Sequence, residues 1–158
     1  MFVLSLKANK KRLVILLSII VAALLVLYAV VNKDAPVAND GGINLKASDE
    51  QERLAFLSQF GWKVDRDPVA VEEVIIPSEF NEVYEKYNQL QISQNFDLTK
   101  YAGEAVKKWT YEIKNYPGYG ADSGYIVANI LVRDGVVIGG DVSSREQNGF
   151  MSTFDFPE

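Results

Sequence analysis

The chain has 158 residues, no cysteine and no histidine, with 16 Lys and Arg against 21 Asp and Glu for a formal net charge of −5. Its length sets one folded domain as the expectation once any targeting segment is set aside. The missing residue types exclude Ser-His-Asp and Cys-His catalysis, Cys/His zinc sites, disulfides and lipid attachment through cysteine.

Leu13 to Val31, LVILLSIIVAALLVLYAVV, runs for nineteen residues without a charge. At about 1.5 Å rise per residue a helix of that length covers roughly 28 Å, close to the hydrocarbon thickness of a bilayer. Lys7, Lys10, Lys11 and Arg12 precede the run, whereas Lys33 follows it with Asp34 beside it. The positive-inside rule therefore predicts a single-pass anchor in the cell membrane, with residues 1–12 cytoplasmic and everything after Asn32 outside. A cleaved signal peptide fits less well, because its apolar core is typically about 7–15 residues and ends in a small-x-small site. Here the core is longer, and Leu27-Tyr28-Ala29 is a poor cleavage signal. Beyond Arg12, 12 basic residues stand against 21 acidic ones, a balance of −9. Such a domain repels nucleic acid and anionic lipid surfaces, so neither is an expected ligand.

Residues 32–47, with Pro36 and the Gly41-Gly42 pair, read as a flexible tether that reaches about 50 Å when extended. The extracytoplasmic domain is expected over 48–158. Ser48 or Asp49 caps a first helix, with Gln51 and Glu52 placed to complete a capping box. Arg53, Phe56, Leu57 and Phe60 recur at helical spacing, Gly61 is a natural stop, and Trp62 folds back on the last turn. VAVEEVII, residues 69–76, is closed by Pro77 and predicts a strand. Ser78 is expected to cap a second helix over 79–94. Phe80, Val83, Tyr84, Tyr87 and Leu90 fall on its apolar face, with Glu79, Glu82, Glu85, Lys86 and Gln89 opposite.

Strands are predicted over 105–116, 125–133, 136–142 and 150–154. In the first of these, Trp109, Tyr111 and Ile113 alternate with Thr110, Glu112 and Lys114. Asp134-Gly135 between apolar runs is a strong hairpin signal, because both turn residues need positive φ. GGDVSS, residues 139–144, then becomes the end of the returning strand. Gly139 and Gly140 mark a bulge or a close approach of backbone, and Asp141, Ser143 and Ser144 lie at an exposed strand end. Gly-Gly-Asp also begins a diguanylate cyclase signature, but that signature continues with Glu-Phe and this chain with Val-Ser. The order predicts an α+β fold: two helices packed on one face of an antiparallel sheet of four to five strands, in a helix-strand-helix-strand meander.

None of the ten serines opens a Ser-x-x-Lys motif. Carboxylate chemistry remains, through Glu72-Glu73 or Asp141 with Glu146, although neighbours along a strand face opposite ways. NYPGYGADSGY, residues 115–125, reads as a hairpin connection, and Tyr116, Tyr119 and Tyr125 offer stacking area with hydroxyl tips for a sugar or peptide. Asp122, Asp134 and Asp141 are scattered without EF-hand spacing, so no metal site is expected, and no cofactor is implied.

LAFLSQFGW, EEVIIPSEFNEVYEKYNQLQ, FDLTKYAGEAVKKWTYEIKNYPG and ANILVRDGVVIGGDVSS, in that order, resemble a family of small, N-terminally anchored proteins of Gram-positive gut bacteria known as domain of unknown function 4830. The resemblance covers roughly Gln51 to Phe154. It implies the domain limits and a membrane-proximal location, and it implies no activity, ligand or catalytic residue.

The expected function is a non-catalytic extracytoplasmic module that binds a protein, peptide or envelope component. Tyr116, Tyr119, Asp122 and Tyr125 are the expected contacts, with Asp141 orienting the neighbouring loop. The alternative is a carboxylate-based hydrolase of cell-wall glycan. A third reading is a structural or inhibitory module that docks on a membrane enzyme through a sheet edge or the 150–156 tail.

Overall fold

The computed structural model describes residues 42–157. The expected anchor at 13–31, the basic segment before it and residues 32–41 of the tether lie outside the described residues. Among those described, no helix is long and apolar enough to cross a membrane. The elements are α1 (Glu50–Ser58), β1 (Ala70–Ile75), α2 (Glu82–Ser93), a 3-10 turn (Leu98–Tyr101), β2 (Ala105–Glu112), β3 (Ile126–Arg133), β4 (Val136–Ser144) and β5 (Met151–Ser152). The five strands form one sheet in the order β1-β2-β3-β4-β5, with every neighbouring pair antiparallel. The α+β class and the meander are as expected.

The start of α1 is fixed by a capping box shared between two residues. The Asp49 carboxylate accepts from the Glu52 N–H at 2.8 Å, and the Glu52 carboxylate accepts from the Ser48 N–H at 2.7 Å. Arg53, Phe56 and Leu57 form its buried stripe. At its end the Trp62 N–H returns to the Leu57 carbonyl at 3.4 Å, and the Trp62 indole sinks inward to donate to the Phe154 carbonyl at 2.6 Å.

The tether ends earlier than the sequence suggests. The Ala47 N–H donates to the Gly135 carbonyl and the Val137 N–H to the Leu45 carbonyl, both at 2.8 Å, and Ala47 is buried. Residues 45–47 therefore belong to the folded unit, because their backbone groups extend the ladder at the hairpin.

The second helix is shorter than expected. Asn81, not Ser78, is its cap and takes the Tyr84 N–H at 3.0 Å, so residues 79–81 precede the helix. Phe80 packs against the Ile76–Leu98 cluster, which turns the chain before a helix can begin. Its buried face also differs: Val83 is 73% exposed, whereas Asn88 and Gln91 are buried. The Glu82–Lys86 ion pair forms at 2.8 Å.

The two helices lie on opposite faces of the sheet, not on one. Arg53 of α1 reaches Trp109 and Tyr111 of β2, whereas α2 borders Lys108 and Asp141. Trp109 and Lys108 are neighbours along a strand, so they point to opposite faces. The cause is β3, whose IVANILVR run is apolar on both sides and needs cover on each. Ile126, Ala128, Ile130 and Val132 join the larger core with Phe56 and Leu57. Leu131 joins a smaller core with Val106, Ile138 and Leu98.

The Asp134-Gly135 turn has φ of 50° and 77° at its two residues and joins β3 to β4 directly, Arg133 pairing with Val136. The register slips between Leu131 and Val132, leaving Ile138 as the extra residue of a bulge. At Gly140 (φ 152°) a Cβ would overlap the Asn129 carbonyl oxygen and the Phe154 ring. The close approach read from the Gly-Gly pair is therefore present. β5 is only two residues long because Phe154 leaves the sheet edge to pack edge-on against Phe56 at 5.1 Å.

Candidate functional site

A polar row crosses the sheet beneath α2. Thr110, Asn129 and Asp141 face one another across β2, β3 and β4. The Thr110 hydroxyl donates to Asn129 Oδ1 at 2.8 Å, and Asn129 Nδ2 donates to Asp141 Oδ2 at 2.9 Å and to Ser143 Oγ at 3.2 Å. From α2 the Tyr87 hydroxyl donates to Asp141 Oδ1 at 3.0 Å. Each carboxylate oxygen of Asp141 thus has a donor from a different element.

The C-terminal half of α2 is fastened by side-chain amides. Gln91 Oε1 accepts from the Gly140 N–H at 2.8 Å, and Gln94 Nε2 donates to the Gly140 carbonyl at 2.7 Å. Asn88 Oδ1 accepts from the Leu98 N–H at 2.8 Å. Beside the rest of the helix a groove of about 630 Å³ opens, with Tyr84, Tyr87, Leu90 and Met151 along its sides and Asn129 and Asp141 in its floor. Lys108 also lines it and is bound at 2.7 Å to Glu72.

Burial pushes the Asp141 carboxyl above its ordinary range, against the opposing pull of Asn129, Tyr87, Ser143 and the Lys108 charge. Burial first, and then the charge of Asp141, pushes the Tyr87 phenol far upward. Tyr87 is therefore a fixed donor and not a proton acceptor. Among the described residues the groove is lined by one carboxylate, that of Asp141, with one donor on each oxygen. Two-carboxylate hydrolysis needs a pair roughly 5–9.5 Å apart. Among the described residues no group of three or more acidic side chains converges as metal ligands. The groove is an apolar slot with a polar floor.

The residues expected from sequence fall in two places. Tyr116 stacks on Trp62 at 5.8 Å with ring planes 4° apart, and meets Tyr119 edge-on at 5.7 Å. The Tyr119 hydroxyl donates to Glu146 Oε2 at 2.6 Å, and that bond raises the phenol's proton affinity. Asp122 is exposed and lies 3.4 Å from Lys114, and Tyr125 is exposed. Asp141 is apart from them, 3% exposed and on the α2 face. It is not at an exposed strand end, and the carboxylate that holds the tyrosine loop is Glu146. Sequence reasoning missed Lys108, Asn129 and the role of Tyr87. Asn129 left a signal, as the one polar residue between Ile126 and Val132.

A family model described as a domain of unknown function (DUF4830) matches residues 56–142. That is more than half of the chain, and the chain belongs to this family. The matched span contains Tyr87, Lys108, Asn129 and Asp141. No curated protein and no solved structure matches the chain.

Proposed function

We propose that this member of the DUF4830 family is a non-catalytic binding module whose α2 groove receives an apolar side chain of a protein or peptide partner. The observation that carries this reading is the pairing of apolar walls with a single carboxylate that is buried and held by Tyr87 and Asn129. That arrangement supports recognition over hydrolysis, which needs a second acid. The charge-free run from Leu13 to Val31 and the basic residues before it support holding the module outside a cell membrane. Tyr125 and Asp122, exposed on the tyrosine loop, are proposed as secondary contacts.

Photo-crosslinking of the full chain in expressing cells tests the reading. A photoreactive residue at Val83, on the groove rim, is expected to yield a discrete protein adduct. The same group at Ile75, exposed on β1, should not. Equal yields from both positions, or adducts to glycan alone, would remove the groove from the proposal. A discrete adduct from Tyr119 and none from Val83 would move the contact to the tyrosine loop.

A further inference from the structure

On the opposite face, Arg53 is buried without a counter-charge among the described residues. It is 7% exposed, its guanidinium sits over the Trp109 ring with Cζ 3.6 Å from the centroid, and the ion pairs among the described residues do not include it. Nε donates to the Tyr111 hydroxyl at 3.1 Å and Nη1 to the Ala47 carbonyl at 3.3 Å. A guanidinium has five N–H donors. The other three, on the Nη edge, meet no acceptor among the described residues.

Arginine is almost never buried without a partner, because desolvating its charge is costly unless a counter-charge or strong acceptors replace the water. Stacking on tryptophan and two neutral acceptors offset only part of that cost. Arg53 lines a cavity of about 410 Å³ between the Ala47–Ser48 segment, β2 and the hairpin turn. That volume suits a small ligand.

Charges of both signs surround the cavity. Arg53, Lys107 and Arg133 line it with Glu73 and Asp134. Arg133 is held by Glu104 at 3.0 Å and by Asp134 at 3.4 Å, and Lys107 and Glu73 are both exposed. Of these three cations Arg53 is the buried one, in a chain whose net charge is −5. Val132, from the α1 face of β3, gives the cavity an apolar side.

We propose that this cavity binds a carboxylate, held in a planar two-bond fork by the Nη edge of Arg53, with a short apolar body against Val132. The geometry favours carboxylate over a point-charge interaction because the stacked guanidinium has one fixed plane, which a planar anion matches with two parallel bonds. The carboxylate could be that of a small acid or of a peptide C terminus, and the two share this chemistry. The proposal is independent of the groove under α2, which lies on the other face of the sheet.

The chain has two tryptophans, so its indole N–H signals in a nitrogen-proton NMR spectrum form a two-peak reporter. The full chain, kept soluble in neutral detergent micelles, is titrated with propionate, propionamide, inorganic phosphate, and N-acetyl-alanyl-alanine with a free or an amidated C terminus. The expected result is a saturable shift of the Trp109 signal with acids, a still Trp62 signal, and no response to either amide. Arg53→Lys, which keeps the charge and loses the fork, should weaken binding at least about tenfold. Response to the peptide acid alone assigns the carboxylate to a chain terminus, and response to propionate as well assigns it to small acids. Amides that act like acids, phosphate that binds as well as propionate, or a Trp109 signal that never moves would each overturn the proposal and leave Arg53 as a strut between α1 and β2. The acid-amide comparison uses the unaltered chain, so it decides the matter even if the variant fails to fold.

Discussion

Asp141 is held by two donors that a reader of the sequence would not place near it, Tyr87 from α2 and Asn129 from β3. Burial raises its carboxyl above the ordinary value of 3.8. A raised acid binds its proton more tightly folded than unfolded, so its contribution to stability is fully present below 3.8 and is lost as pH rises through the raised value. Asn129→Leu sharpens this. It removes the donor that pulls the Asp141 carboxyl down, so the proton affinity should climb further. The ionised carboxylate is left short of a bond, at a cost of about 2–3 kcal/mol near pH 8. Near pH 4 the protonated group tolerates the loss better and the penalty should shrink toward that of the orphaned Thr110 hydroxyl. Urea unfolding at the two pH values measures the difference, and an equal penalty at both would mean that Asp141 does not titrate as described. The face on which Asp141 lies was not legible from alternation. Counted back from the Asp134-Gly135 turn, Asp141 would oppose Ala128 and join the α1 face. The extra residue at Ile138 shifts it by one, to oppose Asn129. One bulged residue therefore moves the buried acid from one core to the other.

At the scale of elements, the two ends of α2 obey different physics. Its start is a competition between Ser78 and Asn81, residues of similar capping strength set three apart. Tertiary packing of Phe80 decides it, and no local pattern reports that contact. Asn81→Ala should cost about 1 kcal/mol of stability, whereas Ser78→Ala should be nearly neutral. Paired thermal melts separate the two, and the reverse order would restore the longer helix. The buried stripe of α2 was misread for a related reason. Hydrophobic periodicity counts apolar residues, and this helix buries Asn88 and Gln91 because their amides satisfy backbone groups of Leu98 and Gly140. By contrast β2, β3 and β4 were readable in position and pairing from long β-branched runs and an Asp-Gly turn, which sets the register only as far as the bulge at Ile138. The apolar run of β3 also held the signal for cover on both faces. Placing both helices on one side set that signal aside.

For the molecule as a whole, the sheet must end somewhere, and its two edges end by different means. At one edge β5 is two residues long, and beyond it Gln91 and Gln94 occupy the N–H and carbonyl of Gly140. The other edge is β1, where Val71 and Ile75 are exposed and the outer row of backbone groups faces no strand. An exposed, β-branched edge is a template for pairing with another chain. Glu72 and Glu73 sit at its centre, so a second copy pairing antiparallel would set carboxylate against carboxylate. Lys108, 2.7 Å from Glu72, lowers that group's proton affinity and keeps it ionised as pH falls. Replacing both, Glu72→Val with Glu73→Val, should leave the fold intact, since both side chains are exposed, while the chain associates with rising concentration at neutral pH. Light scattering across a dilution series reads this directly. The unaltered chain should approach the same behaviour only near its isoelectric point of about 4.8, where net repulsion vanishes. If the double variant scatters no more than the parent at neutral pH, the edge is protected by its twist or its surroundings, and the two glutamates are free for the contacts of a partner.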